Sequence, residues 1–388
     1  MNINTINEKI INVEGIILSS TYGTGKTLGQ PKGVKSLGFI QLTSESQQTG
    51  LGETYAGVYV PELIPQTVEF LKDMIIGKSI SDVDIIKNIT EIPFIGRNGL
   101  VQSIASAVDI ALWDLRGKIL GQPVYKILSD QYSKQVEVYA SSRSTSLSPQ
   151  EIKDDAKKLK KEGYNAYKMR VGFQDWNTDL ERVKAAREIF NNGEKLMVDA
   201  IMGTLRPTWS VKEAISRAKD LEKFNLEWLE EPLFPDNISG LAELKESSNV
   251  IIAAGEAYSG LSEFNHILSI NAVDILQFDA THSGGISTCL DLSDVCKEKN
   301  IRTAVHVWGS AVAIASNAHL ALSKSNIEIL EIPMVPLEIT EKMWIESPTI
   351  QSGQWIANDL PGLGIELTDE IKDKYKFVPK SGYKLPEK

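Results

Sequence analysis

From residue 136 onward the chain repeats one device eight times: a short apolar run, then a longer amphipathic stretch. The runs cover residues 136–140, 166–171, 195–200, 226–230, 250–254, 273–278, 302–306 and 327–330. The stretches between them carry helix signals. Ser148-Pro149-Gln150-Glu151 is a capping box with proline at the first helical position, and Gly163 is placed to stop that helix. Thr178-Asp179-Leu180-Glu181 and Ser210-Val211-Lys212-Glu213 read as capping boxes too. Eight apolar strands alternating with helices predict an α/β fold of the (β/α)-barrel type.

The 388 residues exceed one compact core of ordinary size, so a smaller second domain is expected beside the barrel. The first 130 residues supply it. Residues 10–20 and 38–43 read as strands, 61–77 as a helix with a proline start and a glycine stop, and 100–120 as a long helix with small residues for close packing. The resulting division is 1–130, an α+β domain; 131–340, the barrel; and 341–388, a C-terminal segment. Between the first two strands, Gly23, Gly25, Gly29 and Gly33 resemble a phosphate cradle. Gly25-Lys26-Thr27 lacks the earlier glycine of a phosphate loop, so a mobile loop is the better reading.

The net charge of −10 and the absence of a basic block argue against nucleic acid and anionic membranes as partners. Cys289 and Cys296 are seven apart, which is no metal or redox spacing, and read as thiols in a reducing compartment. Residues 1–12 lack a signal-peptide core, and no run approaches the roughly 18 apolar residues of a membrane span. A cytoplasmic protein is expected.

Barrel active sites lie at the C-terminal strand ends. The second run ends in Lys168-Met169-Arg170, whose two cations share a face. The third ends at Asp199 and the fourth at Glu230, and the fifth leads through Gly255 to Glu256. Three carboxylates on successive strands would raise one another's pKa unless a cation neutralised them, and all-oxygen ligation suits Mg²⁺. Asp279 ends the sixth run, His306 the seventh, and Glu328 lies in the eighth. A carboxylate beside an imidazole makes an acid/base pair. Among the other histidines, His319 reads as packed or surface, while His282, in the loop after Asp279, is placed to face the site.

These residues resemble the enolase superfamily, most closely its mandelate-racemase group. The match is carried by residues 106–114 (Ser-Ala-Val-Asp-Ile-Ala-Leu-Trp-Asp), by Trp228-Leu229-Glu230-Glu231-Pro232, by Gly255-Glu256, and by Asp279 with Gly284-Gly285. It runs from Gly52-Glu53 to Pro361-Gly362-Leu363-Gly364. The resemblance implies a modified (β/α)7β barrel, and a capping domain built from the N-terminal part and the C-terminal tail. It also implies a bound Mg²⁺ and abstraction of a proton alpha to a carboxylate. By the family's pattern Lys168 and Arg170 flank one face of the substrate, His306 with Asp279 the other, and Glu328 stands near the substrate carboxylate. Two positions depart from it. Arg170 replaces the expected lysine base, and Ile201 stands where asparagine is common.

A guanidinium is a poor proton acceptor, which weakens a racemase and favours dehydration of a sugar acid to a 2-keto-3-deoxy acid. Tyr22, Tyr55, Arg143 and Trp308 are the expected substrate contacts. A racemase, epimerase or cycloisomerase on the same scaffold is the runner-up, and a non-catalytic protein of enolase-like fold is the third reading. The expected partners are a small carboxylate and further copies of the chain in a homo-oligomer.

Overall fold

The structure is a computed structural model and describes residues 6–23, 29–30, 32–97, 99–142, 145–191 and 193–384. It opens with an antiparallel sheet, β1 (Ile10–Thr21), β2 (Val34–Ser44) and β3 (Thr49–Thr54). Helices α1 (Ala56–Tyr59), α2 (Ile64–Ile75), α3 (Asp84–Thr90), α4 (Gly99–Leu120) and α5 (Val124–Leu128) follow. This cap has its own core, in which Ile10, Ile40 and Leu42 of the sheet meet Leu71, Ile104 and Val108 of the helices.

The barrel is a closed ring of eight parallel strands. They are β4 (Gln135–Ser141), β5 (Ala166–Arg170), β6 (Lys195–Asp199), β7 (Trp228–Glu230), β8 (Ile252–Ala254), β9 (Ile275–Phe278), β10 (Arg302–Val305) and β11 (Ile327–Pro333), and β11 pairs with β4. Seven helices alternate with them: α6 (Pro149–Lys161), α7 (Trp176–Ile189), α8 (Val211–Leu221), α9 (Ile238–Ser247), α10 (Gly260–Ser269), α11 (Gly285–Glu298) and α12 (Ala311–Ser323). The (β/α)7β order is the one expected.

The helix signals act as read at two of three starts. Ser148 and Glu151 make both halves of the capping box on α6, and Ser210 caps α8. At α7 the cap is Asp175, whose carboxylate takes the N–H of Thr178, so Thr178 lies inside the helix. An earlier acid with a free side chain outcompetes the threonine for the same amide.

After β11 the chain forms α13 (Glu338–Met343), the hairpin β12 (Thr349–Gln351) and β13 (Gln354–Ile356), and α14 (Asp369–Lys374). The hairpin adds to β4. The tail then returns to the cap, where Ser19 N–H donates to Tyr375 O and the hydroxyls of Ser36 and Ser381 lie 2.6 Å apart. Among the described residues no helix is long and apolar enough to cross a membrane. Cys289 and Cys296 are buried free thiols.

Two polar joints lock cap to barrel. Asp109 of α4 accepts from the Ser287 backbone N–H (2.9 Å) and hydroxyl (2.6 Å) at the N-terminus of α11, where a carboxylate also meets the positive end of the helix dipole. Gly285 makes the approach possible, because a Cβ there would stand 2.4 Å from the Asp109 carboxylate. Glu53, at the end of β3, caps α12. It accepts from the N–H of Ser310 and of Ala313 (3.1 Å each) and from the Ser310 hydroxyl (2.7 Å). Glu53 is 3% exposed, so those bonds replace the water it has lost.

Candidate active site

One side chain from each barrel strand fills the lower interior: Tyr139, Ala166, Met197, Trp228, Ala253, Ile275, Ala304 and Ile329. Strand side chains alternate, so the residues two further on point inward as well. This step yields Lys168, Asp199, Glu230, Gln277, His306 and Glu331, all buried. An apolar floor thus carries a polar layer.

The same phase corrects the eighth strand. Glu328 is one residue out of step with Ile329. It faces outward, 36% exposed in its side chain, and pairs with Arg302 at 2.7 Å. Glu331 takes the place expected of it. Its carboxylate lies 3.0 Å from Lys168 Nζ and accepts from Val307 N–H at 2.9 Å. Burial works against its charge, but Lys168 and then His306 hold its carboxyl down at about 2.

Lys168 also binds Glu230 directly. Burial disfavours its charge, yet Glu230 and Glu331 raise its pKa well above the ordinary lysine value. With both carboxylates beside it, Lys168 is an ammonium.

Asp199, Glu230 and Glu256 arrive from adjacent strand ends, with Asp199 and Glu230 directly paired across β6 and β7. Gly255, at φ +141°, makes the turn that brings Glu256 to the rim, and a Cβ there would meet Gln277 O at 2.3 Å. Burial and then Glu230 push Asp199 up to about 8, and burial also raises Glu256. Such mutual repulsion among all-oxygen groups is what a hard divalent cation relieves, so the donor set fits one. Asp199 and Glu256 line the cavity. Glu230 is engaged by Lys168, by Trp228 Nε1 (2.7 Å) and by Gln277 Nε2 (2.8 Å). Among the described residues no three such side chains gather around one point at coordinating distance.

His306 stands opposite. Its Nδ1 is 3.0 Å from Asp279 Oδ2, and Asp279 is itself fixed by Asn317 Nδ2 (2.9 Å) and the N–H and hydroxyl of Thr281 (2.9 Å each). The other ring nitrogen, Nε2, is 3.5 Å from Glu256 and 4.0 Å from Glu331. Burial pulls the imidazole pKa down, but Glu256 and the Asp279 hydrogen bond outweigh it and hold the ring at about 10. The edge of Tyr55 packs against the ring, centroids 6.0 Å apart.

A cavity of about 360 Å³ opens over these groups. Tyr22, Tyr55, Lys168, Arg170, His306, Trp308 and Glu331 all line it, with Ile201 beside them. Arg143 and the Gly25-Lys26-Thr27 segment lie outside the described residues. His282 lines an adjoining space with Tyr55, Glu231 and His306. His319 lines neither space and is buried, with Nδ1 accepting from Tyr125 N–H at 3.0 Å. Sequence reasoning missed Glu331, Gln30, Tyr59 and Tyr383, which share the cavity. Strand phase reveals the first; nothing local marks the other three.

Residues 151–371 match the model of enolase C-terminal domain-like proteins, and residues 30–129 match that of the mandelate racemase / muconate lactonizing enzyme N-terminal domain. The chain belongs to the mandelate racemase / muconate lactonizing enzyme family. Within this family it is 30% identical over 283 residues to an arabinonate dehydratase of Saccharolobus solfataricus, covering 72% of this chain and 74% of that one. It is 31% identical over 343 residues to a 3,6-anhydro-alpha-L-galactonate cycloisomerase of Streptomyces coelicolor, covering 85% and 89%. A crystal structure of a racemase from Streptomyces coelicolor A3(2) with bound magnesium superposes with a TM-score of 0.84 at 27% identity, covering 94% of this chain and 99% of that one. The family's relatives thus process sugar acids by more than one reaction.

Proposed function

We propose that this enzyme dehydrates a sugar acid to a 2-keto-3-deoxy acid, with Mg²⁺ held by Asp199, Glu230 and Glu256. The observation that carries the reading is the asymmetry of the rim. One face of the cavity presents His306 on Asp279, a competent acid/base pair. The other presents Arg170, whose guanidinium is a poor proton acceptor, and Lys168, whose ammonium lies 3.0 Å from Glu331. Moving a proton between two faces needs a base on each, and only one face has one.

The bound metal would supply positive charge where an enediolate develops. The chain's own groups do the rest. Arg170, stacked on Trp308, holds the substrate carboxylate by charge and planar geometry. His306 Nε2 takes the alpha proton, and Asp279 at Nδ1 steadies the imidazolium that forms. The same Nε2–H then protonates the beta oxygen, water departs, and the ring returns to its neutral state. The enol tautomerises to the 2-keto acid, so atoms and protons balance.

A second reading has a specific support, the longer match to the cycloisomerase. An acid whose beta oxygen belongs to an anhydro ring would lose the same proton and open the ring. The product would then be an isomer of the substrate and not its dehydrated form.

The deciding assay incubates the protein and Mg²⁺ with panels of aldonates, aldarates and anhydro acids and follows product mass and 2-keto acid colour. A keto acid lighter by one water supports dehydration. Keto acid of unchanged mass from an anhydro acid supports the second reading, and epimerised acid with no keto product overturns both.

A further inference from the structure

The cavity has a corner that the chemistry above leaves unused. Gln30 lines it and is nine-tenths buried, yet its amide oxygen meets no donor among the described residues. A buried acceptor without a donor destabilises the fold unless a ligand supplies one. Beside it stands Tyr383, carried in from the C-terminal segment and also lining the cavity.

The two are built into one corner. Tyr383 N–H donates to Val58 O at 2.7 Å, and Lys384 N–H donates to Gly29 O at 3.0 Å. Gly29, the residue before Gln30, has φ +74°, and a Cβ on it would stand 1.8 Å from the Tyr383 ring. Tyr59 closes against Tyr383 edge to face, with centroids 5.4 Å apart. Burial raises the Tyr383 phenol, while Arg170 pulls it back, so the phenol is within electrostatic reach of the reacting end.

We infer that Gln30 and Tyr383 form a distal subsite for the far hydroxyls of a polyhydroxy acid, and that this corner selects substrate length. One far hydroxyl donates to the Gln30 oxygen, and another hydrogen-bonds the Tyr383 phenol. The inference rests on the sugar-acid reading, and its test separates the two.

Calorimetric titrations are run with Mg²⁺ present on chains carrying His306→Asn, which stops turnover. The ligands are three-, four-, five- and six-carbon aldonates. Affinity should rise along this ladder. Adding Gln30→Leu or Tyr383→Phe should remove about tenfold of the gain from the longer acids. Binding of the three-carbon acid should stay within twofold. Circular dichroism melting checks that both variants fold, and Tyr383→Phe keeps the ring that packs on Gly29. A ladder with no gain in the parent, no binding of any acid, or equal weakening of short and long acids would overturn the subsite. Normal length dependence with no keto acid from the active chain would instead overturn dehydration and leave the subsite standing.

Discussion

The guanidinium of Arg170 lies over the indole of Trp308, 4.3 Å from the ring centroid, with its Nε 3.6 Å from Asp199. Both neighbours favour a planar cation. Lysine at this position keeps the charge but loses the stacking and the fork. Arg170→Lys should lower kcat/KM by about 10- to 100-fold, mainly through KM. Steady-state kinetics on the best substrate checks this, and unchanged values would remove Arg170 from substrate binding.

Two glutamates three residues apart should behave differently. Glu328→Gln breaks a partly exposed pair and should leave activity within about twofold and stability within about 1 kcal/mol. Glu331→Gln strips a buried partner from Lys168 and should cost about 3 kcal/mol or more of stability, together with most activity. Parallel urea melts and rate measurements read both, and equal effects would refute the inward assignment of Glu331.

Replacing His306 with Asn should abolish turnover, a loss of at least about 100-fold. Asp279→Asn should be nearly as damaging, because the ring then loses the partner that steadies its charged form. Single-turnover measurements on each variant give the chemical step directly. Wild-type rates in either variant would move the acid/base role elsewhere.

Metal affinity should depend on pH. Asp199 is pushed up to about 8 by burial and Glu230, and a carboxylate must lose its proton to bind a cation. Mg²⁺ affinity measured by calorimetry should therefore rise between about pH 6 and pH 8. Chelation should abolish activity and lower the melting temperature, both restored by Mg²⁺. Asp199→Asn should weaken binding and flatten this pH dependence, and a flat profile in the unaltered chain would contradict the assignment.

His319, which does not line the cavity, predicts an acid weakness. Burial holds its pKa down at about 4, against 6.5 for a free imidazole. The unfolded chain then binds the proton more readily between those values, so stability rises with pH across that window and is lost as pH falls through it. The penalty at the acid end is roughly 3 kcal/mol. His319→Gln, which keeps an acceptor for Tyr125 N–H but takes no proton, should flatten the fall in denaturation midpoint between about pH 6.5 and pH 4.

The barrel was legible because each strand is a dense apolar run and most helices announce their starts, as Ser148-Pro149-Gln150-Glu151 does. The rim was legible wherever the strand phase was anchored, as with Lys168 and Arg170. It misled at β11, where the apolar run ends at Leu330: Ile329 joins the barrel interior, while Ile327 and Leu330 pack in the layer around it. Without the phase set by Ile329, Glu328 was the acid in view and Glu331 lay one residue beyond. Strand β3 was seen only at its Gly52-Glu53 end, through the family resemblance, and the reason is physical. Gly50 and Gly52 have low strand propensity, yet a Cβ would stand 2.1 Å from Ala111 O and 1.9 Å from Ala107 O. The glycines serve the contact with α4, not the strand. The meeting of Gly29, Val58 and Tyr383 depends on chain return over hundreds of residues, which no local pattern records.

The Glu53 cap on α12 has a consequence for recombination between relatives. Its acid comes from one domain and the helix it closes from the other. A chimera that joins this cap to a foreign barrel inherits a carboxylate buried against whatever helix start it meets. Unless that start offers amides and a hydroxyl as Ser310 does, the hybrid carries an unmatched charge at its seam. Exchange of substrate preference by swapping whole caps is therefore constrained by residue 53 before any substrate contact is considered.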